Sequence, residues 1–476
     1  MQRVTPHRRW PLFDAATTRA IEQQAAASLA PHTLMQRAGL AVARLALAVA
    51  PHGKSTWIAC GPGNNGGDGL EAAMHLRQWG KDAIVTWLGD ESKAPPDALA
   101  SLQRAREAGV AFTDAPPPNW DLAIDALLGL GSTRPLDGRM GELASAMRNA
   151  AKPVVAIDLP SGLNADTGAG EAVRAWHTLT LLTVKPGLFT AGGRDASGEV
   201  WFDDLEVDSA AQQPSAWLAG PPASVARLHA SHKGSYGDVC VIGGANGMTG
   251  AALLAATAAL HAGAGRVFVT LLDGGAMTMD ATQPELMFRP WDSLDLRAMA
   301  VACGCGGGEA VRAVLPKVLS TAQSLVLDAD ALNAIASDSQ LQSLLEARST
   351  RGRPTVLTPH PLEAARLLGI GTSAVQADRI GTSRALVERF KAIVVLKGSG
   401  TVIAAPGELP TINATGGARL ATAGTGDVLA GMIAARLGAG VSPFGAAAGA
   451  VYDHGLAADR WPPGFPLSAG MLARGS

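Results

Sequence analysis

From residue 55 onward the chain alternates short apolar runs with longer stretches of helical periodicity: apolar at 56–60, helical at 69–79, apolar at 83–88, helical at 96–108. Short apolar runs bounded by turn residues predict strands, and period-3.6 patterning over longer stretches predicts helices. Further strands are expected at 122–126 and 154–157, apolar on both faces as in a parallel sheet buried between helices. Upstream, 17–30 and 34–50 predict helices, and 199–202 predicts a strand before the small, polar linker 207–214. The rhythm then restarts, with strands expected at 238–242, 266–271, 299–303, 324–327, 355–357, 392–396 and 401–404, and a helix at 428–437. The longest apolar stretch, 250–272, is broken by His261 and Arg266 and reads as a buried helix followed by a strand, not a membrane span. The halves share no visible repeat, so the pattern predicts two fused α/β domains, at 1–212 and 213–476.

Composition narrows the class of partner. At 476 residues the chain exceeds the usual single core. Lys+Arg 39 against Asp+Glu 41, with no basic run, argues against nucleic acid and membrane surfaces and for a small-molecule substrate. Four cysteines, Cys60, Cys240, Cys303 and Cys305, suit reduced thiols in a cytoplasmic protein without disulfides. No second Cys or His pair stands at ligand spacing to Cys303 and Cys305, so both read as small buried hydrophobes. Met1-Gln2-Arg3-Val4 leads into polar, proline-containing sequence, so no signal peptide is expected.

The most specific chemistry lies at Gly416-Gly417-Ala418-Arg419-Leu420-Ala421-Thr422-Ala423-Gly424-Thr425-Gly426-Asp427. Small residues let the backbone approach a ligand, and helix-start N–H groups favour phosphate. An aspartate repels phosphate unless it takes a proton from a nucleophilic hydroxyl or holds a metal, which makes Asp427 a candidate base; a plain helix cap is the alternative. In the first half Cys60-Gly61-Pro62-Gly63-Asn64-Asn65-Gly66-Gly67-Asp68-Gly69 satisfies G-x-G-x-x-G. A dinucleotide-binding dehydrogenase would then use Asp90 or Glu91 as its ribose acid, but the asparagines and Asp68 crowd a turn where pyrophosphate wants bare backbone. Asp125 and Asp158 end strands, and with Asn65 and Ser161 they offer converging oxygens that suit a hard cation. The second half adds strand-end groups at Gly243-Gly244, Asp328, Thr358-Pro359-His360 and Lys397-Gly398-Ser399-Gly400-Thr401. Gly53-Lys54-Ser55 is no phosphate loop, since Ala48 replaces the first glycine and a strand follows where one should precede.

These residues carry a resemblance. The first half, from Leu34-Met35-Gln36-Arg37-Ala38-Gly39 to Val184-Lys185-Pro186-Gly187, resembles the NAD(P)H-hydrate epimerases in its motifs at 63–69, 125–131, 134–136 and 158–162. The resemblance implies a Rossmann-like three-layer α/β/α domain with K+ held by Asn65, Asp125 and Ser161. It places substrate on Asn64, Asn65, Gly66, Gly67, Asp68, Gly129, Leu130, Gly131, Ser132, Thr133, Arg134, Pro135 and Asp158. It makes Asp158 the acid/base, where the residues alone leave Asp125 equal. Residues 223–472, through His454-Gly455 and Leu467-Ser468-Ala469, resemble the ribokinase-like ADP/ATP-dependent NAD(P)H-hydrate dehydratases. That implies substrate contacts at Ala251, Gly306, His360 and catalytic Asp427, and nucleotide contacts at Lys397, Gly398, Ser399, Gly400, Thr401, Gly417, Thr422, Ala423, Gly424, Thr425 and Gly426. One departure is Gly304-Cys305-Gly306-Gly307-Gly308, where the family usually has proline second and leucine fourth.

The activity so implied is interconversion of the R and S hydrates of NADH and NADPH, then dehydration of the S form with ADP and Mg2+, leaving AMP and phosphate. ATP is the alternative donor. A ribokinase-like small-molecule kinase with a ligand-binding N-terminal domain is the rival. The apolar helices within 17–50 suggest self-association, so a homo-oligomer is expected.

Overall fold

The computed structural model describes residues 1–131, 135–223 and 228–475. Contacts divide the chain into two compact units, Met1–Thr5 with Trp10–Trp217, and Pro6–Arg9 with Leu218–Ser476.

The first unit is built on one sheet. Its strands lie in the order Gln2–Arg3, Glu199–Asp203, His177–Leu181, Val154–Ile157, Leu122–Ala126, Ser55–Cys60, Asp82–Trp87, Ala111–Phe112, parallel throughout except at the first edge. Successive side chains of a strand face opposite layers. Accordingly Ile58 and Cys60 join Val42, Leu70 and Leu102 in one core, while Trp57 and Ala59 join Leu143 and Met147 in another. Helices therefore cover both faces, the three-layer α/β/α arrangement expected. From Ser55–Cys60 the chain winds outward to one edge, then returns to Leu122–Ala126 and winds to the other. The crevice where the winding reverses, beyond the carboxyl ends of these two strands, is where such sheets bind ligands.

The second unit repeats the architecture without the sequence. Met287–Phe288, Arg266–Leu271, Asp238–Gly243, Ala300–Cys303, Ser324–Leu327, Thr355–Leu357 and Ile393–Leu396 run parallel in that order, followed by antiparallel Val402–Ala404 and Thr411–Ile412. Its reversal falls between Asp238–Gly243 and Ala300–Cys303. Helices Thr249–His261 and Thr425–Gly438 pack backbone to backbone over this sheet. A Cβ on Gly431 would lie 1.9 Å from the Ala255 carbonyl oxygen, so glycine alone permits that approach.

Several elements differ from the sequence reading, including short edge strands such as Gln2–Arg3 and Met287–Phe288. The helix expected at 69–79 is Asn64–Gln78, so the asparagines and Asp68 stand on its first turns and not in a loop. Gly66 allows this, since a Cβ there would lie 2.0 Å from the Gly61 carbonyl oxygen, too close for any side chain as the helix leaves its strand. The helix expected at 428–437 is Thr425–Gly438, which likewise draws Asp427 into its first turn. The strand His177–Leu181 was not anticipated, because alternating threonine and leucine make no continuous apolar run. All four cysteines are free and buried. Among the described residues no helix is long and apolar enough to cross a membrane.

Two candidate active sites

In the first unit a cleft of about 490 Å3 opens at the sheet reversal, lined by Asn64, Asn65, Asp68, Gly129, Leu130, Gly131 and Asp158 among the expected residues. Ser132, Thr133 and Arg134 lie outside the described residues, and Pro135 does not line the cleft. Gly66 and Gly67 are packing positions: a Cβ on Gly67 would meet Met35 at 2.6 Å.

Asp125 and Ser161 lie buried beneath this floor. The Ser161 amide donates to Asp125 Oδ2 at 2.8 Å and its hydroxyl to Oδ1 at 2.6 Å, while the Leu128 amide donates to Ser161 Oγ at 2.8 Å. Burial outweighs these hydrogen bonds and pushes the Asp125 carboxyl up to about 6. On the cleft wall the Asn65 amide has a buried nitrogen without a hydrogen-bond partner, and its other amide atom stands 3.0 Å from where a Gly129 Cβ would be. Amide oxygen and nitrogen are assigned from hydrogen bonding, so this side chain has an uncommitted buried end.

Asp158 ends Val154–Ile157 in a left-handed conformation, φ 64°. A strained backbone at a non-glycine strand end is a hallmark of functional positions. Its carboxylate forms an ion pair with the buried ammonium of Lys185 and accepts from the Leu181 amide at 3.1 Å. Lys185 Nζ also donates to the Leu181 carbonyl at 2.6 Å, so the pair is braced on both sides. Two further cleft acids sit in the field of that carboxylate. Glu22 is raised by burial and by Asp158, and half-buried Asp68 well above the carboxylate range by burial, Asp158 and Glu22. Sequence reasoning named neither Glu22 nor Lys185 as a site residue. A lone lysine at the end of an apolar run was the available signal for Lys185; Glu22 looks like any acid on the polar face of a helix.

In the second unit the site forms around the first turn of Thr425–Gly438. Gly424, at φ 90°, opens it, and buried His454 pins it through a 2.9 Å hydrogen bond from Nε2 to the Thr425 carbonyl. Burial holds that histidine down at about 4, hence neutral and able to donate. Against this turn stands an ion pair, Lys397 Nζ to Asp328 Oδ1 at 2.6 Å, with Thr358 Oγ1 donating to the same oxygen at 2.8 Å. A Cβ on Gly426 would lie 3.2 Å from that Nζ, so the turn and the Lys397 strand end meet. Burial would depress the Lys397 ammonium, but Asp328 and Glu363 hold it raised. Asp427 is pushed up to about 6 by burial and by Asp328, partly offset by a hydrogen bond from the Cys305 thiol.

The remaining expected residues differ in burial and in what they touch. Gly306, at φ 58°, lies where a Cβ would touch Ala251 Cβ at 2.8 Å, so these two share one wall. His360 caps Pro361–Leu368, accepting from the Leu362 amide at 3.1 Å while Nε2 lies 3.2 Å from Glu363 Oε1. Burial raises that glutamate to about 7. Gly398, Ser399, Gly417, Thr422 and Ala423 are exposed, Gly424 and Gly426 half-buried, and Gly400 and Thr425 buried. The backbone under Lys397 is fixed by buried Arg379, which donates to the Leu396 and Lys397 carbonyls at 3.0 Å. Asp90 and Glu91, the ribose acids a dehydrogenase would need, are instead tied to Ser92 and Arg106 and line no part of the first cleft.

Two family models match separate parts of the chain. Residues 31–187 match the family described as YjeF-related protein N-terminus, and 239–473 match that described as NAD(P)H-hydrate dehydratase. The chain is 37% identical to the bifunctional NAD(P)H-hydrate repair enzyme Nnr of Escherichia coli, over 98% of this chain and 92% of that one. It is 34% identical to the enzyme of the same name in Thermofilum pendens, over 90% and 87%. Among solved structures, the ADP/ATP-dependent NAD(P)H-hydrate dehydratase of Bacillus subtilis, co-crystallised with ATP and Mg2+, covers 52% of this chain and 91% of its own at 31% identity and a TM-score of 0.46. The chain belongs to the family of bifunctional NAD(P)H-hydrate repair enzymes.

Proposed function

We propose that residues 1–212 interconvert the two epimers of hydrated NADH and NADPH, and that residues 213–476 consume the S epimer with ADP, or with ATP, to return the reduced cofactor. The observation that carries this reading is the presence in one chain of two acid sites of different design. One is a carboxylate locked to a lysine in a cleft also lined by Glu22 and Asp68; the other is a carboxyl on the first turn of a glycine-opened helix.

Epimer exchange breaks and remakes the bond between a ring carbon and its hydroxyl, so the site must both give and take a proton. Asp158, paired with Lys185, serves as the base; Glu22 and Asp68, which hold their protons more tightly than ordinary carboxyls, supply the acid. For K+, the uncommitted end of the Asn65 amide and the buried oxygens of Asp125 and Ser161 form an oxygen donor set that fits a hard cation. The ion would add positive charge under the cleft floor.

In the second site Asp427 takes the proton from the substrate hydroxyl, whose oxygen then attacks the terminal phosphate of the nucleotide. The helix-start amides, with the Lys397–Thr401 and Gly417–Gly426 backbone, hold the charge in transfer. Phosphate leaves from that carbon, a neighbouring proton is lost, and the ring double bond returns. Mg2+ would take most of its oxygens from the nucleotide and water, and no residue is assigned to it.

The test is absorbance recovery of reduced nicotinamide from mixed-epimer NADH hydrate with ADP and Mg2+, on the intact chain and on Asp427→Ala. Full recovery by the first and none by the second is expected. No recovery with ADP or ATP, or accumulation of a stable phosphorylated product, would overturn the dehydratase reading.

A further inference from the structure

The departure at Cys305 has a physical consequence at the second site. The glycine-rich turn that follows Ala300–Cys303 puts the Cys305 thiol within 4.8 Å of a carboxylate oxygen of Asp427, the group expected to act as base. The Cys305 sulfur and one carboxylate oxygen each of Asp328 and Asp427 all lie within 4.8 Å of one another. Cys305 and Asp328 are buried, and Asp427 is half-buried, so the group is reached from the side by which a substrate hydroxyl must reach Asp427. A cation already occupies part of it: the Lys397 ammonium, 2.6 Å from Asp328.

Donor chemistry decides which ion such a group takes. One sulfur and two carboxylate oxygens with an open fourth position are a zinc-class set, with bonds of about 2.3 Å to sulfur and 2.0–2.2 Å to oxygen; Mg2+ takes an all-oxygen shell. We propose that Cys305, Asp328 and Asp427 form an inhibitory site for a soft divalent cation of the Zn2+ class, one that closes the dehydratase centre by capturing its base. On binding, the Cys305 S–H bond breaks and its proton passes to solvent, a sulfur–metal bond forms, and the Lys397 ammonium leaves Asp328 as the metal replaces it. Bound metal and proton transfer to Asp427 exclude each other.

The inhibition rests on the proposed role of Asp427, but metal binding does not, so the test reads both. Co2+, a spectroscopic stand-in for Zn2+, is titrated into the full chain after chelator treatment, without nucleotide. One equivalent is expected to produce a thiolate-to-cobalt charge-transfer band that Zn2+ displaces. Cys305→Ala and Cys305→Ser, each verified by its melting curve, are expected to lose the band. Removing an outer partner of a metal ligand already costs about 10–100-fold in affinity, so losing the ligand should weaken zinc binding at least that much. Zn2+ should lower the dehydratase rate of the intact chain at least about tenfold at concentrations where Cys305→Ala, measured against its own metal-free rate, is unaffected. A band absent from the intact chain, or retained in both variants and therefore due to Cys60, Cys240 or Cys303, overturns the site. A band present in a chain with no dehydratase activity upholds the site and sinks the dehydratase reading instead.

Discussion

Asp427, the proposed base of the second site, shows what such a position costs the fold. Its folded carboxyl keeps a proton up to about 6, against an ordinary 3.8. The folded state therefore binds more protons across that window, and stability falls as pH rises through it and levels off above. The cost reaches at most about 3 kcal/mol. Asp427→Asn is accordingly expected to raise the melting temperature at pH 7 while abolishing dehydration, and calorimetry beside the recovery assay checks both. In the intact chain the dehydratase rate should climb with pH through about 6 as the carboxylate forms; a flat profile there would count against Asp427 as base. The opposite behaviour is expected at the first site. Lys185→Met leaves the mostly buried Asp158 carboxylate unpaired, so the first unit should lose about 3–5 kcal/mol and epimer exchange should fall by about a hundredfold or more. Lys185→Arg, keeping the charge, should restore part of the stability. Asp427 stood out in the sequence because it follows turn glycines at a helix start, whereas Asp158, at a strand end, was ranked above Asp125 only by the family resemblance. Lys185 did not stand out, because its significance lies in a partner 27 positions away.

Both sites depend on helices that begin immediately after their loops. Asn64–Gln78 starts close enough to its strand that Gly66 rests on the Gly61 carbonyl. Gly66→Ala should therefore push the helix start off the sheet, costing about 1–3 kcal/mol and most of the epimerase activity. The dehydratase rate measured with S epimer alone should be unaffected. Loss of both activities would mean that this substitution acts by unfolding the chain. Element existence was readable here: Val154–Ile157, Ser324–Leu327 and Thr355–Leu357 fall where the apolar runs predict. Helix starts were not, since glycine-rich turns carry no periodicity. Whether such a turn continues as loop or coils into helix is settled by the space its neighbours leave.

At the scale of the molecule, two sites on separate sheets imply separable activities. Asp158→Ala should recover cofactor from mixed epimers only until the reactive epimer is spent, and Asp427→Ala should recover none. An equimolar mixture of the two variants should recover all of it, because a small substrate can diffuse from one chain to the other. Failure of the mixture would show that the intermediate must pass within one chain. What the sequence alone determined is the two α/β units, the central strands with continuous apolar runs and the strand-end groups of each crevice. These follow from local patterning and turn chemistry, which act over a few residues. Tertiary structure alone decided which groups meet: Lys185 on Asp158, Lys397 on Asp328, the Cys305 thiol on Asp427, and Asn65 left with an unpartnered buried end. Those pairings arise from the order in which strands enter the sheet, and no local pattern encodes it.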